Sequence, residues 1–291
     1  MADLVDVLTD LEAESAALDA ILTALPAKSW SLPTPAPGWS MGYQLGHLAW
    51  TDGVVIDAAA AARGDAAAFS AVGQDLRSGA ITIDSAAEQL AALPPDQLLA
   101  QWRSGRRRMA ASLRQLTPGA KLPWFGPPMS ATSMATARIM ETWAHGQDIV
   151  DALGVGRPAT DRLRHVAHLA VRARNYAFAL NRLASPADEF RVELQSPSGE
   201  LWVWGPPDAV DSVYGTAKDF CLLATQRRHR DDLAVSADGP NADKWLDIVQ
   251  AFAGPPGQGR QSKGRQSQGA EGEEFQGEAQ RGAAKPAEAA S

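Results

Sequence analysis

The sequence has little cysteine and no long apolar run, and both shortages exclude classes of protein. Cys221 is the only cysteine among 291 residues, so no intramolecular disulfide can form and nothing indicates a secreted scaffold. No apolar run approaches the roughly 20 residues that a membrane-spanning helix needs. The first residues include Asp3 and Asp6 in place of a basic region followed by an apolar stretch, so we expect no signal peptide. These absences predict a cytoplasmic protein with no membrane partner.

Positive charge is also in short supply. The chain carries 27 Lys and Arg residues against 34 Asp and Glu residues, a formal net charge of −7, which argues against nucleic acid as its main partner. Hydrophobic residues make up 45% of the sequence, enough for substantial cores. A chain of this length has room for two domains.

Four long stretches with helical periodicity, separated by proline- and glycine-rich segments, predict a helical bundle. Ser40 fits the N-cap of the second helix, directly after a segment with three prolines. We place the bundle in residues 1–158. The long helices are predicted at 3–25, 40–63, 96–116 and 130–153, with shorter pieces at 65–78 and 84–92.

The character of the chain changes after the bundle. Residues 190–195 alternate like a half-buried strand, and residues 201–204 can form its partner across a Ser-Pro-Ser-Gly turn. Helices are expected at 160–183, 209–226 and 241–253. The pattern predicts a small α+β domain over 159–256. Residues 257–291 are too polar to build a core, so we expect a disordered tail there, with Phe275 as its single aromatic residue.

One helical stretch carries the chemistry: Glu141-Thr-Trp-Ala-His145-Gly-Gln-Asp148. Glu141 and His145 are four residues apart, so their side chains share one helix face and can bind one metal ion. A catalytic zinc site usually has three protein ligands, and His47 is the best candidate for the third. Asp148 can orient a ligating imidazole or lie on the far side of the site. The same residues also allow a hydrogen-bonded core histidine and a simple pair on the helix surface.

Arg227 and Arg228 are candidates for binding an anionic substrate group. Arginine presents a planar fork of donors that matches a carboxylate. The alternative is that both side chains belong to a solvated helix end. Cys221 lies between Phe220 and Leu222 and is interpreted as a small buried hydrophobe, not as a nucleophile.

Three fragments in order resemble one known family, the mycothiol-dependent maleylpyruvate isomerases, whose metal-binding N-terminal domain has the DinB-like four-helix bundle fold. The fragments are Pro37-Gly-Trp-Ser, His47-Leu-Ala and Glu141-Thr-Trp-Ala-His-Gly-Gln-Asp. The resemblance covers about residues 5–155. The C-terminal stretch from Asp219 to Gly254 resembles an actinobacterial branch described as metal-binding or wyosine-base-formation-like. The fold class that follows is mainly α, a DinB-like four-helix bundle with a small α+β C-terminal domain.

The resemblance implies a divalent metal, with zinc the expected ion, held by His47, Glu141 and His145. It also implies mycothiol as a co-substrate, whose metal-bound thiolate adds to an electrophilic small molecule. Isomerisation or thiol transfer would follow, with Asp148, Arg227 and Arg228 as the expected catalytic residues. Two alternatives stay open: a zinc-dependent hydrolase with metal-bound water, and a non-catalytic metal-containing protein that binds a small ligand. Either a monomer or a homodimer fits.

Overall fold

The computed structural model describes residues 3–257 and 259–262, and it consists of a helical half followed by a mixed half. The predicted fold class, a four-helix bundle followed by a small α+β region, is confirmed. The domain boundaries at 158/159 and 256/257 stay predictions. Most of the tail predicted to be disordered, 257–291, lies outside the described residues. Within the described ranges, no helix combines the length and the apolar character that crossing a membrane requires.

The bundle is built on four long helices, with two short helices between the second and the third. α2 packs against α4, α5 and α6, and α1 packs against α6. A two-stranded ribbon, β1 (Lys121–Leu122) and β2 (Met129–Ser130), precedes the last long helix. The helices are α1 (Leu4–Thr23), α2 (Met41–Ala62), α3 (Ala67–Ser78), α4 (Ile83–Ala91), α5 (Pro95–Arg114) and α6 (Ala131–Leu153).

Local capping fixes where the two site-bearing helices begin and end. The Ser40 hydroxyl accepts a hydrogen bond from the Tyr43 backbone N–H at the start of α2, as the sequence predicts. Ser130 caps α6 in the same way through the Ser133 N–H. Gly154 ends α6 in the left-handed conformation, with φ at 65°, which glycine adopts without a steric penalty. These caps set the register of every side chain on α2 and α6.

Helix α6 is shared between the two halves of the molecule. Ile139 and Ile149 pack into the cores of the bundle, whereas Met140, Trp143 and Ala144 belong to the core of the C-terminal half. Such a helix is buried nearly all round, so its polar residues lie inside the molecule. The sequence stretch that carries two of the candidate ligands, Glu141 and His145, therefore lies at the interface between the two halves.

The C-terminal half has a four-stranded sheet in the order β4-β3-β5-β6. β3 pairs parallel with β5, and the other pairings are antiparallel. The elements are α7 (Leu163–Arg172), α8 (Arg174–Leu180), β3 (Arg191–Gln195), β4 (Leu201–Trp204), β5 (Ser212–Thr216), α9 (Ala217–Ala224), β6 (Val235–Asp238) and α10 (Pro240–Ile248).

All three helix predictions in this half are wrong in part, and the one at 241–253 is observed as α10, which ends at Ile248. The predicted helix 209–226 is a strand, β5, followed by the shorter helix α9, which Thr216 caps through the Asp219 N–H. Gly215 lets β5 approach its neighbour, because an added Cβ would lie 2.6 Å from the Ala234 carbonyl oxygen. The predicted helix 160–183 is interrupted at Ala173 and forms α7 and α8.

Candidate metal centre

Three predicted ligands converge inside the bundle. His47 lies on α2, and Glu141 and His145 lie one turn apart on α6. The Nε2 atom of His47 is 3.5 Å from Oε2 of Glu141, and Nε2 of His145 is 3.1 Å from the same oxygen. One ligand atom from each residue lies within 4.8 Å of the others. Ligands about 2.0–2.2 Å from one zinc ion are typically about 3–3.5 Å apart, so the donor set fits such an ion.

The protonation states also suit a cation. Burial lowers the pKa of His145 from 6.5 to about 4, and the neighbouring His47 adds to this effect, so the imidazole is neutral at pH 7. Burial alone would raise the pKa of Glu141, but the neighbouring His145 and His47 side chains hold it well below its usual value of 4.5. A neutral imidazole and an ionised carboxylate are the forms that bind metal.

A hydrogen-bond chain fixes which nitrogen of His145 faces the cluster. The Thr34 hydroxyl donates to the Trp39 carbonyl oxygen at 2.7 Å and therefore accepts from Nε2 of Gln44 at 2.9 Å. The side-chain oxygen of Gln44 then points at Nδ1 of His145, which must carry the proton. Nε2 of His145 is left with a free lone pair directed at Glu141. Gln44 thus supplies the orienting contact that metal-bound histidines commonly have.

Trp39 forms a wall of the cluster. Its ring stacks on His145 with an interplanar angle of 17° and a centroid distance of 5.7 Å, and it lies 5.5 Å from the His47 ring. The Pro37-Gly-Trp fragment is the sequence signal for this wall. Nδ1 of His47 is buried and has no hydrogen-bond partner within the described part of the chain.

Asp148 does not orient either histidine. Its carboxylate is fully buried, accepts a hydrogen bond from Nη2 of Arg227 at 2.8 Å, and is also bonded by Arg260. The alternative in which Asp148 acts on a ligating imidazole is therefore corrected, because Gln44 occupies that position. Arg260 comes from the beginning of the predicted tail, so this part of the tail contacts the bundle.

The two predicted arginines differ in whether they can contact a ligand in the cleft that lies beside Asp148. Arg228 is fully engaged with Asp151, at 2.6 and 2.7 Å, and it does not line the adjacent cleft. Arg227 does line the cleft, and its Nε is buried without a partner among the described residues. Nε and Nη1 of Arg260 are also buried and have no hydrogen-bond partner among the described residues.

That open cleft has a volume of about 640 Å³, and none of the three candidate ligands is part of its lining, but Arg227 on its wall is close enough for its charge to act on His145. Asp148 lines it one turn beyond His145 on α6, and Pro37 lines it two residues before Trp39. The three buried donors without a partner belong to the two arginines that line this cleft, and each is costly while it stays unpaired. The two basic side chains at the cleft come from different parts of the chain. Arg227 follows α9, and Arg260 belongs to the C-terminal segment.

The remaining titratable candidates are engaged elsewhere. His165 bonds Asp10 at 2.7 Å, and His168 accepts from the Trp204 indole N–H at 3.2 Å. Cys221 is fully buried, and burial raises the pKa of its thiol, which agrees with its interpretation as a small core residue.

The fold and the cluster define a class: four-helix-bundle proteins with two histidines and one glutamate gathered between two bundle helices. Residues 11–150 match the family model described as the mycothiol maleylpyruvate isomerase N-terminal domain, and residues 186–238 match the one described as wyosine base formation. The chain belongs to the mycothiol maleylpyruvate isomerase-like family.

Relatives and solved structures agree with this assignment. Two uncharacterized proteins, MT0041 and Rv0036c, from two strains of Mycobacterium tuberculosis are each 54% identical over 260 residues, which is 89% of this chain and 100% of the relative. The crystal structure of the mycothiol-dependent maleylpyruvate isomerase aligns with a TM-score of 0.53 at 15% identity, over 82% of this chain and 96% of that one. A point mutant of that isomerase aligns with a TM-score of 0.54 over the same shares. At this identity the structural likeness shows the fold.

Proposed function

We propose that this protein is a metal-dependent enzyme that uses a low-molecular-weight thiol, mycothiol, as an isomerase or a thiol transferase. One observation carries the proposal: three ligand atoms within 4.8 Å, with a neutral His145 and an ionised Glu141, next to a cleft with unpartnered arginine donors. His47, Glu141 and His145 hold the ion, and zinc is the ion we propose. A bound divalent ion lowers the pKa of a coordinated thiol and so keeps it as a thiolate at neutral pH.

The residues around the cluster divide the remaining work. Gln44 holds the His145 ring, and Trp39 covers it and limits access of water from that side. Arg227 and Arg260 bind an anionic group, such as a carboxylate, on the small-molecule electrophile. Asp148 positions both arginines, and Arg228 acts indirectly by tying the turn after α9 to α6 through Asp151.

The overall chemistry is balanced in either version. In an isomerase, the thiol adds across an activated double bond, the new single bond rotates, and expulsion of the thiol restores the double bond in the other geometry. In a transferase, the adduct is the product. Both versions need the same binding groups, so the distinction depends on whether the electrophile lets the sulfur leave again.

The hydrolase alternative lacks support from the site. It needs a general base beside the metal, and Asp148 is the only candidate from the sequence. Its two carboxylate oxygens are bonded by Arg227 and Arg260, which leaves it poorly suited to take a proton from water.

The test is the metal content of the purified full-length protein and of His47→Ala, with His168→Ala as the matched control histidine away from the cluster. We expect one zinc per chain in the wild type and the control, and a loss in His47→Ala. X-ray absorption spectroscopy at the zinc edge should then detect a new sulfur ligand when mycothiol is added.

Three results would contradict the proposal in different ways. Absence of metal from all three proteins would remove the metal centre. Equal metal in His47→Ala would place it elsewhere. If mycothiol did not change the zinc coordination, and the protein hydrolysed any ester or amide from a set of test substrates, the hydrolase would be favoured.

A further inference from the structure

A second cavity, of about 730 Å³, lies at the other end of the bundle from the metal cluster. It is bounded by the end of α2, one face of α3, the start of α4 and the loop between β1 and β2. Ala61 on its wall is 14 residues beyond His47 on α2, about 21 Å along the helix axis. The cavity is therefore separate from the site described above.

Three aromatic rings form one wall. Phe69 stacks on Phe125 with centroids 5.4 Å apart and on Trp124 with centroids 6.4 Å apart, and Trp124 lies 5.2 Å from Phe125. Phe69 and Trp124 also pack against the bundle core, which anchors the wall. Phe125 is 48% exposed, so a large apolar surface faces the opening. Such a surface favours a flat apolar ligand.

A single charged side chain faces these rings. Arg77 lines the cavity on the same face of α3 as Phe69 and Gly73, and no acidic residue is part of the lining. The missing side chain at Gly73 lets Arg77 fold back, since a Cβ there would lie 3.2 Å from Nη1 of Arg77. Within the described residues, Arg77 forms neither a hydrogen bond nor an ion pair, whereas most other arginines of the bundle have acidic partners.

We propose that this cavity is a binding site for a small aromatic carboxylate, with the ring against Phe69, Trp124 and Phe125 and the carboxylate on Arg77. The occupant follows from charge complementarity: among the described residues, the cavity holds one unpaired cation in an otherwise uncharged aromatic lining. A neutral aromatic would leave the guanidinium unpaired. A dianion or polyanion would find only one cation.

The experiment is calorimetric titration of the full-length protein with 2-naphthoate, with neutral 2-naphthamide as the matched ligand. We expect one site per chain and a preference for the carboxylate. Arg77→Gln should weaken 2-naphthoate binding about tenfold, while leaving 2-naphthamide unchanged. Arg77→Lys should retain part of the affinity, and Phe125→Ser should weaken both ligands. Arg77 is exposed, so its replacement should not affect folding.

One further variant locates the ligand. His47→Ala should bind 2-naphthoate as the wild type does, so failure of the metal proposal would not affect this result. Loss of binding in His47→Ala would mean that the carboxylate binds at the metal cluster, and it would overturn the inference. Absence of 2-naphthoate binding, or equal binding by Arg77→Gln, would have the same effect.

Discussion

Helix α6 carries two carboxylates, seven residues apart, in opposite surroundings: Glu141 is partly exposed and Asp148 is fully buried. Glu141 lies between the imidazoles of His47 and His145, and Asp148 lies between the guanidiniums of Arg227 and Arg260. An imidazole can be neutral and offer a lone pair, whereas an arginine side chain stays protonated and only donates. The first carboxylate can therefore share a metal ion with its neighbours. The second can only form ion pairs, and it ties the turn after α9 and the C-terminal segment to the bundle.

The largest expected effects differ between the two positions: a substitution of Asp148 should lower stability, and a substitution of Glu141 should abolish metal binding. Asp148→Asn removes a buried charge and leaves two partly buried guanidiniums without their counter-charge, so the free energy of unfolding should fall by about 3 kcal/mol. Glu141→Gln removes a ligand, but it keeps a polar group of the same size between the histidines. It should abolish zinc binding and cost about 1 kcal/mol or less in the metal-free protein.

Urea unfolding of the metal-free proteins and zinc content measured on the same preparations would check both halves of this prediction. Glu12→Gln is the control, because its ion pair with Arg114 is exposed and contributes about 0–1 kcal/mol. If Asp148→Asn proved as stable as the control, the guanidinium cluster would not hold the two halves together. If Glu141→Gln kept its zinc, Glu141 would not be a metal ligand, and the proposed difference between Glu141 and Asp148 would be wrong.

Acid should weaken the imidazole cluster in the metal-free protein. In the folded chain the pKa of His145 is about 4, against 6.5 in an unfolded chain, because of burial and then the neighbouring His47. Between these values the unfolded state takes up a proton that the folded state refuses, so stability is complete above pH 6.5 and falls as the pH drops toward 4. Glu141, with its lowered pKa, continues the loss below pH 4.5. The His145 contribution amounts to at most about 3 kcal/mol.

The measurement is the free energy of unfolding from pH 7 to pH 4 for the metal-free wild type and for His145→Asn. The wild type should lose stability more steeply than the variant. Parallel curves would mean that His145 titrates normally and that its ring is not buried as described.

The same contrast shows how far the sequence could predict the molecule. The four-residue spacing of Glu141 and His145 and the ordered motif with His47 were enough to predict a cluster, because helix periodicity determines which side chains share a face. The partners of Asp148 lie 79 and 112 residues away along the chain, and no local pattern reports them. Strands β5 and β6 were missed for the same reason, since a strand of four or five residues that pairs with other segments of the chain leaves only a weak periodic signal.

Gln44 gives the smallest and most specific test, because it acts on the cluster only through the His145 ring. Gln44→Leu removes the acceptor for Nδ1–H, so the ring can turn or change tautomer, and zinc affinity should fall about 10–100-fold. Gln44→Glu keeps an oxygen acceptor at this place and should retain most of the affinity. Competition with a chromophoric chelator would measure both variants against the wild type. An unchanged affinity in Gln44→Leu would show that packing against Trp39 alone orients the imidazole, and that the Thr34–Gln44 chain is only a structural contact.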